Sequence, residues 1–183
     1  MAKSNAIKCA TALALLVMVS AQTTLTVPFA VTVTDFNAVN LTAIGCAVAA
    51  ATGVNTNCED DVNVSQVEYI VAFEVTGLDA GATTANVKPA VASANSVTAA
   101  RVVVTESRRL AEQFLEARRL AGSFSVEITQ DTAAAAQATM SNAADSSTLS
   151  TALEAENVNA SAMAAPTPTG NIKVTAKVAQ KNQ

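Results

Sequence analysis

Hydrophobic and polar residues alternate in four stretches of this chain. In residues 24–34, Leu25, Val27, Phe29, Val31 and Val33 fall on one side, and Thr24, Thr26, Thr32 and Thr34 on the other. Tyr69, Val71, Phe73 and Val75 alternate with Glu68, Glu74 and Thr76, and Phe124, Val126 and Ile128 alternate with Ser123, Ser125, Glu127 and Thr129. Ile172, Val174 and Val178 alternate with Asn171, Lys173, Thr175 and Lys177. Strand side chains point to opposite faces in turn, so each stretch predicts a strand with one buried and one wet side. One-sided strands build an antiparallel sheet with a solvated face. Val31, Phe73, Val126 and Val174 are expected to face helices, and Thr32, Glu74, Glu127 and Lys173 to face water or a partner.

Helical spacing appears between these strands. Leu41, Ile44, Val48 and Ala51 follow a cap at Asp35 or Asn37, with Gly53 as a terminator. A second helix is weakened by Gly81 and Pro89 and is expected only from about Lys88 to Ala94. A third starts at Asp131, carries Ala133, Ala136 and Met140, and reaches Leu149 and Leu153 with a break between Asn142 and Ser147. A second strand is expected after each helix, at Val62–Val67, Val97–Thr105 and Asn157–Met163.

The same phrase opens each unit. Val31-Thr32-Val33-Thr34-Asp35, Phe73-Glu74-Val75-Thr76 with Asp79, and Val126-Glu127-Ile128-Thr129 with Asp131 are each an alternating run closed by Thr and Asp. Asp35 and Asp79 are 44 residues apart, and Asp79 and Asp131 are 52 apart. The excess is a local duplication, Arg108-Arg109-Leu110-Ala111 repeated at Arg118-Arg119-Leu120-Ala121. A long fixed period predicts one supersecondary unit used repeatedly. The expected fold class is therefore α+β: three βαβ repeats in a ferredoxin-like antiparallel sheet with helices on one face. Residues 22–163 form this repeated domain. Residues 164–170, Ala-Ala-Pro-Thr-Pro-Thr-Gly, read as a stiff linker, and 171–183 as a C-terminal strand and tail.

The N-terminus changes the compartment. Lys3 and Lys8 precede an apolar run from Leu13 to Val19, and Val19-Ser20-Ala21 suits signal peptidase, so residues 1–21 are expected to be removed after Ala21. The run is shorter than the ~20 apolar residues of a membrane span. Cys9 leaves with this segment, and Cys46 and Cys58 remain as an even pair, best read in an exported chain as a disulfide. Closing so short a loop is worth roughly 3 kcal/mol in the chain-entropy model. Without Lys3 and Lys8, nine cationic side chains face 15 acidic ones, a net charge of −6. That balance argues against nucleic acid and anionic membranes as partners. Asn40-Leu41-Thr42, Asn63-Val64-Ser65 and Asn159-Ala160-Ser161 are N-glycosylation sequons.

The chain has no His, which removes His-based triads, dyads and zinc sites. Pairing of Cys46 with Cys58 would leave no thiol nucleophile, and no Gly-rich phosphate loop is present. Glu59-Asp60-Asp61 is acidic but lacks the spaced oxygen donors of a calcium loop, so no metal and no cofactor are expected. Arg108-Arg109 and Arg118-Arg119 are dibasic pairs that suit processing after Arg109 or Arg119, or pairing with Glu112 and Glu116 at helical spacing.

Gly122-Ser123-Phe124-Ser125-Val126 resembles the Gly-Ser-Val-Val-Val of SEA domains, with Gly122, Ser123 and Val126 matching. The resemblance implies an extracellular ferredoxin-like module, and in some members self-cleavage between Gly122 and Ser123. There Ser acts as nucleophile in an N-to-O acyl shift driven by strain. Val-x-Val strands, Ala-rich helices and Arg-Arg-Leu at 108–110 and 118–120 also resemble repetitive exported proteins of unicellular algae and dinoflagellates. That resemblance implies a cell-surface or matrix role with no catalytic residues. The expected function is an exported, non-enzymatic structural or adhesion subunit of a surface coat, extracellular matrix or filament, whose partners are copies of itself or related repeats. The alternatives are a self-cleaving SEA-like module, and a secreted inhibitor or signal processed at the dibasic sites.

Overall fold

The computed structural model describes residues 24–51, 62–79, 81–107 and 122–179. Strands β1 (Thr24–Val33), β2 (Val62–Leu78), β3 (Val102–Glu106), β4 (Gly122–Gln130) and β5 (Thr169–Ala179) form one antiparallel sheet in the order β1-β5-β2-β4-β3. Helices α1 (Leu41–Ala51), α2 (Thr84–Ala94), α3 (Ala133–Ala143) and α4 (Ser146–Ala155) connect them. The class is α+β.

Three strand–helix–strand crossovers are present, but not as three separate repeats. β1 and β2 are parallel with β5 between them, β2 and β3 are parallel with β4 between them, and β4 and β5 are parallel with β2 between them. β2 ends the first crossover and begins the second. The strands expected at Val62–Val67 and from Tyr69 onward are thus one strand, with no hairpin between them. Their apparent separation has a physical cause. The register slips between Val64 and Gln66, and the extra residue of such a bulge moves the inward positions from even to odd numbers, from Val64 to Val67, Tyr69 and Val71.

The third crossover also differs from expectation. Residues 157–163 are a loop, not a strand, although Val158 and Ala160 are buried in alternation. Asp79 N–H donates to Asn159 O at 3.3 Å and Ala164 N–H to Thr76 O at 3.3 Å, fastening this loop beside the end of β2. Residues 164–168 continue along β2 with Pro166 buried, and Thr169 Oγ1 donates to Ala72 O at 3.4 Å. β5 is therefore interior to the sheet, bonded to β1 on one side and β2 on the other.

The inward residues were placed correctly by alternation. Val31, Phe73, Val126 and Val174 are buried, and Thr32, Glu74, Glu127 and Lys173 are exposed. Val71, Phe73, Val75, Phe124, Val126, Ile128, Ile172 and Val174 make one core cluster with Val87 and Val91 of α2, Ala136 of α3 and Leu149 and Leu153 of α4. Small residues let the layers approach closely. At Gly170 a Cβ would lie 2.7 Å from Val33 O and 2.8 Å from the Phe36 ring, so the ring packs directly over bare backbone. Gln130 Nε2 donates to Thr139 Oγ1 at 2.7 Å, which satisfies two buried polar groups across the sheet–helix boundary.

Helix starts follow capping chemistry. Asp35 caps a 3-10 turn, Phe36–Ala38, rather than α1. Asn40 caps α1, its Oδ1 accepting the Ala43 N–H at 3.1 Å. α2 begins four residues before Lys88. Thr83 and Asn86 form a capping box there, and Pro89 is accommodated inside the helix. Asp145 caps α4, accepting the N–H and hydroxyl groups of both Ser147 and Thr148. These bonds lower its pKa from 3.8 to about 2, the Thr148 hydroxyl contributing most. A lowered folded-state pKa gives stability that is present above 3.8 and is lost as pH falls toward about 2. Asp145→Asn should unfold at lower urea than wild type at neutral pH, with the gap between the two midpoints shrinking as pH drops through that window. A constant gap would show that the cap does not titrate.

Candidate functional site

Gly122 and Ser123 open β4, directly after residues 108–121, which lie outside the described residues. Opposite them the β2–β4 ladder is irregular. Val75 pairs with Phe124 and Leu78 with Gly122, so the intervening Thr76-Gly77 bulges against Ser123. Gly77 makes the bulge possible. Its φ is +83°, and a Cβ there would lie 2.2 Å from Ala162 O. The Ser123 carbonyl accepts the Ser107 N–H at 2.8 Å, which ties the start of β4 to the end of β3. Ser123 is half-buried and sits on the sheet face away from the helices, while Phe124 turns inward. Gly122 itself is not in the left-handed region. The two residues are thus at a strand start beside a ladder defect, without backbone strain at Gly122.

The face opposite the helices carries two shallow grooves. One, of about 380 Å3, is lined by Pro28, Ala30, Gln66, Glu68, Lys173 and Thr175 across β1, β5 and β2. The other, of about 400 Å3, is lined by Ala72, Glu74, Thr76, Ser125, Thr167 and Thr169. The first also touches Phe29 and Val174 and is largely apolar, with Glu68 and Lys173 as its charges, and the second mixes Phe73, Ala72 and Ala165 with hydroxyl side chains and the charge of Glu74. Among the described residues, no group of three or more His, Cys, Asp or Glu side chains could hold a metal ion.

The other sequence-derived positions are scattered. Asn40 caps α1 and is exposed, Asn63 lies exposed within β2 opposite Lys177, and Asn159 is exposed in the loop after α4. Only Asn159 has the local turn in which its Oδ1 accepts the Ser161 N–H, at 3.0 Å. Cys46 is half-buried on α1 and is not a free thiol. Cys58, Arg109, Arg119, Ala21 and the acidic Glu59-Asp60-Asp61 lie outside the described residues. Among the described residues, Asn40, Cys46, Asn63 and Asn159 lie on separate elements and are not gathered into one centre.

Sequence reasoning did not single out the ion pair of Arg101 and Asp131. It joins the 3-10 turn Ala99–Arg101 to the residue just before the α3 cap. The mutual hydrogen bond raises the Arg101 pKa and lowers that of Asp131. Both groups are solvated, so the pair guides geometry more than it stabilises. Among the described residues, no helix is long and apolar enough to cross a membrane. Comparison with protein-family models, curated proteins and solved structures gave no match.

Proposed function

We propose that this chain is an exported, non-enzymatic structural or adhesion subunit that associates with copies of itself or related repeats in a surface coat, matrix or filament. The observation that carries the reading is the open sheet. Among the described residues, β1 and β3 are each paired on one side only, so each presents an outer backbone ladder without a described partner. The C-terminal strand β5 offers no such edge, because it already has a partner on both sides. Export is supported by the leader-like residues 1–21, and a Cys46–Cys58 disulfide and glycans at Asn40, Asn63 and Asn159 fit the same compartment. The four strands β2 to β5, in the order β5-β2-β4-β3, match the split βαβ arrangement of ferredoxin-like modules, with β1 as an added edge.

A second reading, a SEA-like module that cleaves itself between Gly122 and Ser123, is favoured by one observation. The bond opens the third of those four strands, at the bulge of β2. Intact mass of the exported protein, before and after reduction, separates the readings. One uncut chain beginning after Ala21, gaining only the hydrogens of one reduced disulfide, supports the structural reading. A stoichiometric nick before Ser123 would replace it with the self-cleaving one. Complete cutting after Arg109 or Arg119 would replace it with a processed signal or inhibitor.

A further inference from the structure

We infer that the β3 edge pairs with the β3 edge of a second copy about a twofold axis. The inference rests on the self-association reading and names the surface that serves it. The direction of the β3 backbone groups follows from one bond. Ser107 N–H donates to Ser123 O at 2.8 Å, so Ser107 points its backbone groups at β4. In an antiparallel ladder this alternates, so Thr105 and Val103, opposite Ser125 and Glu127, also point at β4. Val102, Val104 and Glu106 then direct theirs out of the sheet. The Val102 N–H is already taken by Ala99 O. Among the described residues, nothing is bonded to the Val104 N–H and C=O, the Glu106 N–H and C=O, or the Val102 C=O on this edge.

A second β3, running antiparallel with Val104 opposite Val104, matches this set. The two Val104 residues exchange two hydrogen bonds. Each Glu106 N–H donates to the Val102 C=O of the other copy, giving two more. A twofold axis normal to the sheet keeps helix face beside helix face, as residues directly opposite each other must share a face. Val103, 54% exposed and the one exposed large hydrophobic among the described residues, comes to lie beside Thr105 of the other copy. The two Glu106 side chains end at opposite ends of the pair, so no like charges meet directly. The other edge is less suited. β1 carries Pro28 at its centre, which has no N–H to offer, and such a proline is a common guard on edge strands.

A five-residue edge is small against the area of stable interfaces, so the pair is weak and concentration-dependent. Each copy without its leader carries −6, so added salt should strengthen it. Sedimentation velocity of the full exported chain over a concentration series tests the assignment, with thermal melting as the folding control. Wild type should pass from monomer to dimer. Val104→Pro removes an N–H that no bond among the described residues uses, and Val103→Lys places two like charges near the axis. Each should weaken dimerisation by at least about tenfold while leaving the melting temperature in place. If Val104→Pro fails to fold, Val103→Lys decides. A wild type that associates while both variants associate equally well would overturn the β3 assignment and leave self-association standing. A wild type that stays monomeric at the highest concentration would overturn both.

Discussion

Val126→Asp should unfold the protein, and the neighbouring Glu127→Val should leave it folded. Val126 sits in the middle of β4 with no exposed surface, facing the helices among Phe73 of β2 and Val104 of β3 in register. A carboxylate there loses its hydration and gains no partner, a cost of several kcal/mol even when it is relieved by protonation. The lost packing of the valine adds to this. A loss above about 4 kcal/mol is at the extreme for one substitution and close to the whole stability of an ordinary domain. Glu127 is one residue away and points to the solvated face. Valine suits a strand there and should shift stability by less than about 0.5 kcal/mol. Urea unfolding followed by circular dichroism checks both. Equal tolerance of the two changes would mean that the strand register is wrong.

Gly77→Val should be the next most damaging change, and Gly81→Ala close to neutral. At Gly77 a φ of +83° is unfavourable for any side chain, at about 1–3 kcal/mol. The added Cβ would also collide with Ala162 O, 2.2 Å away. Because that oxygen belongs to the backbone, relief requires moving the loop that β2 holds through Thr76 and Asp79. Together these give a loss of about 3 kcal/mol or more. Around Gly81 the nearest atoms to a new Cβ are the Asp79 carboxylate oxygens at 3.7 Å, an ordinary contact. Matched unfolding midpoints for the two variants would contradict the reading of the bulge.

The strand faces were legible in the sequence because alternation is a local signal. Phe73, Val126 and Val174 needed only their immediate neighbours to be placed. The fusion of two expected strands into β2 was not legible, because a one-residue bulge near Ser65 reverses the alternation and imitates a strand end. The loop 157–163 misled in the opposite way. Val158 and Ala160 are buried in alternation, yet their segment is anchored to β2 by isolated bonds and not by a ladder. The interior position of β5 depends on pairing partners 97 or more residues away, which no local pattern carries. Of the candidate site, the strand-start position of Gly122 and Ser123 was legible. The bulge facing them was not, since it arises from Gly77, distant in sequence. The Arg101–Asp131 pair was equally hidden, because its members lie on different elements 30 residues apart.

The central claim is that this chain works by building an assembly through its sheet edges. Electron microscopy of the native exported material tests that most directly. The account predicts ordered particles, arrays or filaments whose repeating unit accommodates paired five-stranded sheets joined edge to edge. Native material in which the protein is present only as dispersed single chains, with no repeating unit containing it, would contradict the account.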